Sequence, residues 1–159
     1  MAKRAEPQSF EDRNFFPSFH ERPHEFDWDD RYYEDMDPDD PSSALVYRKH
    51  WCLLGEIVEA EVFLRARIVA KDHQGRLFVV AFYPENPADM DRVMKNFCVG
   101  NTIVIMYALK HWFLDGTIGV RVEETDDVLV SILLANESGI SSGLTDHRLS
   151  RSIWTELCR

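Results

Sequence analysis

Cys52–Asp72 reads CLLGEIVEAEVFLRARIVAKD, and its second half decides the fold class. Val62, Leu64, Ala66, Ile68 and Ala70 alternate with Phe63, Arg65, Arg67, Val69 and Lys71. A period of two places apolar side chains on one face of a strand and wetter, basic ones on the other. Asp72-His73-Gln74-Gly75 then forms a turn, with a glycine able to take positive φ. RLFVVAFYP, Arg76 to Pro84, returns as the partner strand of a hairpin.

Outward from the hairpin, ENPADMDRVMKNF predicts a helix over Pro87–Phe97. Asn86 can cap it, Pro87 suits its first turn, and Asp89 and Asp91 suit the positive end of its dipole. Met90, Val93, Met94 and Phe97 share one face at helical spacing. Thr102–Phe113 is a further β-rich run, Leu114-Asp115-Gly116 a turn, and Thr117–Ile132 a last strand broken near Asp126-Asp127. The first long run can bend at Gly55 or near Glu59–Glu61.

The resulting order, β-β-β-α-β-β, is that of a mostly β, five-stranded OB-like barrel with one helix between strands three and four. Another small antiparallel barrel or an α+β sandwich is the alternative. The barrel spans 45–135. A linker, 136–144, and a short C-terminal helix over 145–159 follow it. Leu149, Ile153, Trp154 and Leu157 mark one face of that helix, which either packs back on the barrel or meets a partner.

The net charge is −10, unevenly spread. Residues 1–44 hold 5 Lys/Arg against 13 Asp/Glu, whereas 45–135 hold 10 against 12. The acidity therefore sits in an N-terminal arm, which a low aliphatic content and several prolines predict to be disordered. Its rings, Trp28, Tyr32 and Tyr33 among them, are interspersed with acids. They either dock on a partner or lie back on the chain's own barrel. An acidic protein of this kind is a poor electrostatic trap for DNA or anionic membranes. Cys52, Cys98 and Cys158 lack metal-motif spacing, and no apolar leader or membrane-length run occurs, so an intracellular protein is expected.

Catalytic signatures are absent: there is no GxSxG, P-loop, GxGxxG or HExxH. His20 and His24 read as a chance pair, and Cys98 as a packing cysteine. No enzyme, cofactor or metal is expected. An accessory factor or enzyme of a biosynthetic pathway has no residue-level support.

Binding has more support. An OB barrel presents the face of strands two and three, flanked by loops. The candidates there are Phe63, Arg65, Arg67 and Lys71 on strand two, Lys110, His111, Trp112 and Phe113 in the loop between strands four and five, and Arg121 on strand five. Interleaved rings and guanidinium groups suit single-stranded nucleic acid. Alternatively, Trp112 and Phe113 plug the barrel end, and Arg65 and Arg67 make weak surface ion pairs. The expected function is non-catalytic binding or adaptor work through a protein partner, with complexes that handle nucleic acid as the candidates; a direct single-strand binder inhibited by its acidic arm is the alternative.

Trp51 to about Val130 also resembles a family. GEIVEAEVFLRARIVAKDHQGRLFVVAFYPE and VGNTIVIMYALKHWFLDGTIGVRVEE, above all FLRAR, VAFYPE and HWFLDGTIGVRVE, are similar to the OB-like domain of uncharacterised fungal proteins. Some of those carry a MYND-type zinc finger, whose clustered Cys and His ligands this chain lacks. The resemblance implies a barrel-only member and transfers no catalytic residue. The strand order more generally resembles OB domains of single-strand-binding proteins such as replication protein A.

Overall fold

The computed structural model describes residues 9–36, 45–62, 66–86, Met90 and 94–131. The chain is mostly β there. β1 (Tyr33–Asp35) and β2 (Leu45–Tyr47) form a two-stranded antiparallel sheet. A second sheet holds β3 (Cys52–Val62), β4 (Ala66–Lys71), β5 (Leu77–Phe82), β6 (Thr102–Met106), β7 (His111–Trp112), β8 (Ile118–Val122) and β9 (Val128–Ser131). Its order is β7-β8-β5-β4-β3-β6-β9, antiparallel throughout except between β5 and β8.

The expected hairpin is β4–β5. Ala66, Ile68 and Ala70 are buried while Arg67 is exposed, the alternation read from the sequence. At the turn, Asp72 Oδ1 accepts from the amides of Gln74 (2.9 Å) and Arg76 (3.0 Å), and Gly75 takes φ 77°. β3 serves two partners. Its first half pairs with β6 and its second with β4, and the register shifts between Ile57 and Glu59, where one residue is extra. Gly55 leaves room for the Phe78 ring, which a Cβ there would approach to 2.7 Å.

Two expectations about the barrel are corrected. The fifth run is broken as expected, but the fourth is broken too, so among the described residues the main sheet has seven strands instead of five. Tyr107, in left-handed backbone at φ 48°, interrupts the run from β6 to β7. The 3-10 turn Thr125–Asp127 interrupts β8 to β9. The hydrogen-bonded order is also open, ending on β7 and β9, and among the described residues no ladder closes it into a barrel. Of the expected helix, 87–89 and 91–93 lie outside the described residues. Met90 and Met94 are helical, and Met90 and Phe97 are buried in the core.

The core has two compartments. Leu53, Ile57, Ile68, Phe78, Val80, Ile103 and Val120 form the larger cluster. On the opposite side of β3 and β6, Cys52, Leu54, Val104 and Met106 form a second layer, covered by Phe16 of the N-terminal arm. Both faces of these strands are thus apolar, and each needs a cover. The arm provides it, with Phe16 lying back on the chain's own sheet. Residues 1–8 and 37–44 lie outside the described residues.

Several bonds hold the arm. The Cys52 amide donates to the Phe15 carbonyl at 2.8 Å. Ser18 and Glu21 form a capping box on the 3-10 turn Phe19–Glu21. The Phe19 amide donates to Asp72 Oδ2 at 3.0 Å. Arg22, only 1% exposed, donates from Nη2 to the carbonyls of Pro17 (2.6 Å) and Cys52. Burial pulls this guanidinium down to about 9 and pushes the Cys52 thiol up to about 12. Tyr32 is buried with its ring edge on Trp51, and its hydroxyl donates to the Glu21 carbonyl at 2.9 Å.

The expected linker and C-terminal helix, with Leu149, Ile153, Trp154 and Leu157, lie outside the described residues. Among those described, no helix is long and apolar enough to cross a membrane.

Candidate nucleic-acid interface

The outer face of β4, β5 and β8 carries a groove of about 780 Å³. Strand pairing explains its floor. Arg67 stands opposite Ala81, and Ala81 opposite Arg121, so two arginines flank one small residue across three strands. One row along, Val79 lies opposite Gly119, and Gly119 opposite His111. A Cβ on Gly119 would approach the Val79 carbonyl at 2.4 Å and the Phe113 ring at 2.8 Å. The missing side chain therefore lets Phe113 lie down on the sheet. With a side chain at that position, the ring would be pushed off the groove floor.

The β7–β8 hairpin forms one wall. Trp112 is 57% exposed and Leu114 fully so. The turn between them and β8 is held by Asp115, whose Oδ1 accepts from the amide (2.9 Å) and hydroxyl (2.6 Å) of Thr117. Those bonds hold the Asp115 carboxyl below its ordinary value. Tyr83, just past β5, forms the other end. The Arg121 guanidinium lies 4.8 Å above its ring centroid, and Arg121 also meets Glu123 at 2.5 Å. Glu61 and Asp115 line the groove as well, so its two arginines are balanced by two acids.

Of the nine residues that the sequence offered for ligand binding, Arg67, His111, Trp112, Phe113 and Arg121 line this groove. Lys71 does not; its Nζ pairs with Glu56 at 3.0 Å. Lys110 turns to the arm, donating from Nζ to the His20 carbonyl at 3.1 Å. Phe63 and Arg65 lie outside the described residues. Tyr83, Val79 and Ala81 were not singled out, although the period-two signal was available, since all three share the parity of the wet face of β5. Glu25, which binds His111, is 86 residues away in sequence and left no such signal.

The arm is part of this neighbourhood. Pro23–Glu25 runs beside Lys110, with Lys110 N donating to the Pro23 carbonyl (2.9 Å) and Glu25 N to the Lys110 carbonyl (3.1 Å). The His24 ring lies 5.7 Å from the Trp112 ring. Of the arm's proposed docking rings, Tyr32 is buried and Tyr33 is half-buried beside Tyr47 and Trp51, while Trp28 is 55% exposed. Burial pushes the Tyr33 hydroxyl up to about 12. A second cavity of about 310 Å³ shares His111 and Arg121 with the groove and is lined further by Glu25, Tyr47, Tyr107, Glu124 and Asp127. Desolvation raises the Asp127 carboxyl there, with Glu124 and Asp126 adding repulsion. Among the described residues, no group of three or more His, Cys, Asp or Glu side chains could hold a metal.

No family model matches the chain, so the resemblance to the fungal OB-like domain finds no support there, and no curated protein matches it either. Solved structures offer partial likeness. One is the S. pombe Stn1–Ten1 complex, at 12% identity, covering 72% of this chain and 71% of that one, with a TM-score of 0.43. Another is Schizosaccharomyces pombe Pot1pC bound to single-stranded DNA, at 7% identity, covering 67% and 91%, with a TM-score of 0.41. A third is a replication protein A heterotrimer bound to single-stranded DNA, at 8% identity, covering 80% and 89%, with a TM-score of 0.37. Likeness at this level assigns no activity to this chain.

Proposed function

We propose that this chain is a non-catalytic binding protein with an OB-like strand arrangement, and that its groove takes a short single strand of nucleic acid. The OB-like reading rests on connectivity: a long first strand pairs with the second and fourth runs, and the third and fifth runs are parallel. The observation that carries the function is the groove lining. Arg67 and Arg121 flank a floor of Val79, Ala81 and Gly119, while Tyr83, Trp112 and Phe113 supply rings at its ends. Bases stack on such rings at ~1–3 kcal/mol each, and guanidinium groups pair with phosphate or stack in turn. Duplex DNA is a poor fit, because the acids Glu61 and Asp115 offset the cations and leave little general attraction for a dense polyanion.

The test is fluorescence anisotropy of the full chain with labelled single strands and duplexes of mixed sequence. Single strands should bind, and Trp112→Ala or Arg67→Ala should weaken binding about tenfold or more, the value of one stacked base. Equal binding of duplex and single strand, or indifference to Trp112→Ala, would sink the reading.

A second reading has its own observation. Phe26 is 85% exposed and Trp28 55% exposed, amid Asp27, Asp29 and Asp30 and outside the groove. Exposed rings among acids suit a basic protein partner. A partner captured by the chain and lost in Phe26→Ala/Trp28→Ala, with the groove variants unaffected, would favour adaptor work through the arm.

A further inference from the structure

The acidic arm invites the idea that it competes with nucleic acid as a tethered anion. The geometry points elsewhere. His111 Nδ1 donates to the Glu25 carboxylate, with the two oxygens at 2.6 and 2.7 Å. Both side chains are largely buried, at 17% and 21% exposure. His111 lines the groove, but Glu25 does not; Glu25 lines the second cavity, which His111 also reaches. The carboxylate therefore holds the imidazole from the second cavity and is not part of the groove lining. On the other side, the His111 ring meets Phe113 edge-on, 4.8 Å between centroids at 68°. The ring is fixed from two directions.

We propose that Glu25 is a positioning residue of the groove: by holding His111 through Nδ1, it presents the remaining ring nitrogen, Nε2, to a bound nucleotide. A histidine whose first nitrogen is committed to a carboxylate has its tautomer and orientation set by that bond. The consequence is that the arm builds the site. Glu25 reaches His111 because Pro23–Glu25 is paired with Lys110, and the arm as a whole is pinned by Phe16 and Arg22. Removing the arm then impairs nucleic-acid binding and uncovers nothing.

The inference rests on the reading of the groove as a strand site, and the experiment separates the two. Single-strand affinity is measured for the wild-type chain, Glu25→Ala, Glu25→Asp, His111→Ala, the double variant Glu25→Ala/His111→Ala, and Trp112→Ala. Melting temperatures serve as the control for folding. Glu25→Ala and His111→Ala should each weaken binding about tenfold, as expected when a charge-assisted hydrogen bond beside the ligand is lost. The double variant should be no worse than either single one, because the carboxylate acts only through the ring. Glu25→Asp should recover part of the loss. Nitrogen NMR of the free protein should find His111 Nδ1 protonated. A merely structural anchor would give additive losses, and these would overturn the proposal. So would tighter binding by Glu25→Ala, the mark of a competitor, or an unprotonated Nδ1. If Trp112→Ala abolishes binding while Glu25→Ala leaves it unchanged, the positioning role falls and the groove stands. If the wild-type chain binds no single strand, both fall.

Discussion

Replacing Phe16 tests whether the arm belongs to the folded unit. Its ring is 1% exposed and covers Cys52, Leu54, Val104 and Met106 on the outer side of β3 and β6. Phe10 packs against it at 4.8 Å between centroids. Truncation to alanine removes the one fully buried arm ring of this layer and leaves a cavity that the partly buried Phe10 and Phe15 only flank. Losses for a buried Phe→Ala run to about 3–5 kcal/mol, smaller where the site can collapse. Here collapse is restricted, because the Phe15 carbonyl, the Phe19 amide and Arg22 all fix the arm's path. The upper half of that range is expected in urea or guanidinium denaturation of Phe16→Ala against wild type. The same change has a chemical readout. Cys52 lies beneath Phe16, and burial pushes its thiol up to about 12, whereas Cys98 is exposed. In the native wild-type chain Cys98 should react with a thiol reagent promptly and Cys52 only on unfolding. In Phe16→Ala, Cys52 should become reactive under native conditions. A stability change below about 1 kcal/mol, together with a wild-type Cys52 that reacts as fast as Cys98, would refute the covering role.

Gly119→Ala should destabilise the chain by about 1–3 kcal/mol and weaken single-strand binding, because the new Cβ strikes the Val79 backbone and lifts Phe113 from the floor; denaturation and anisotropy read the two effects, and an unchanged protein would contradict the close packing. Arg22→Ala should destabilise the chain, since it leaves the Pro17 and Cys52 carbonyls short of a donor and opens a cavity; thermal melting checks it. Alkaline titration carries a sign. The Cys52 thiol ionises near 9 when unfolded and near about 12 when folded, so the unfolded chain loses its proton first and stability falls as pH climbs between those values. Arg22, pulled down to about 9, acts the opposite way over the same range. Cys52→Ala removes only the first effect, so its stability relative to wild type should rise from pH 9 toward 12; a flat difference would contradict the burial of this thiol.

The strands were legible because their period was. Arg67 outward and Ile68 inward follow from alternation, and the bend in β3 falls within two residues of Glu59–Glu61. The turn at Gly75 followed from its Asp and Gly. The two interruptions, at Tyr107 and at Thr125–Asp127, differ in this respect: the second was signalled by paired aspartates, whereas left-handed backbone at a tyrosine has no sequence mark. Acids and prolines dominate the composition of the arm and hide the packing of its rings. The contrary signal lay elsewhere, in CLL and TIVIM. These runs are apolar at successive positions and so need a cover on both faces. Arg67 and Arg121 share a face because residues of one parity on neighbouring strands do, whereas the consecutive His111, Trp112 and Phe113 line the groove through their hairpin. Glu25 could not be found this way, since its contact with His111 is set by the path of the arm and by no local pattern.

The most direct test of the central claim is an NMR titration of the isotope-labelled full chain with a short mixed-sequence single strand. Amide shifts should concentrate at Arg67, Val79, Ala81, Phe113, Gly119 and Arg121, the residues that meet at the groove. Saturable shifts confined to Phe26–Arg31, or no shifts at concentrations where the groove should fill, would contradict it.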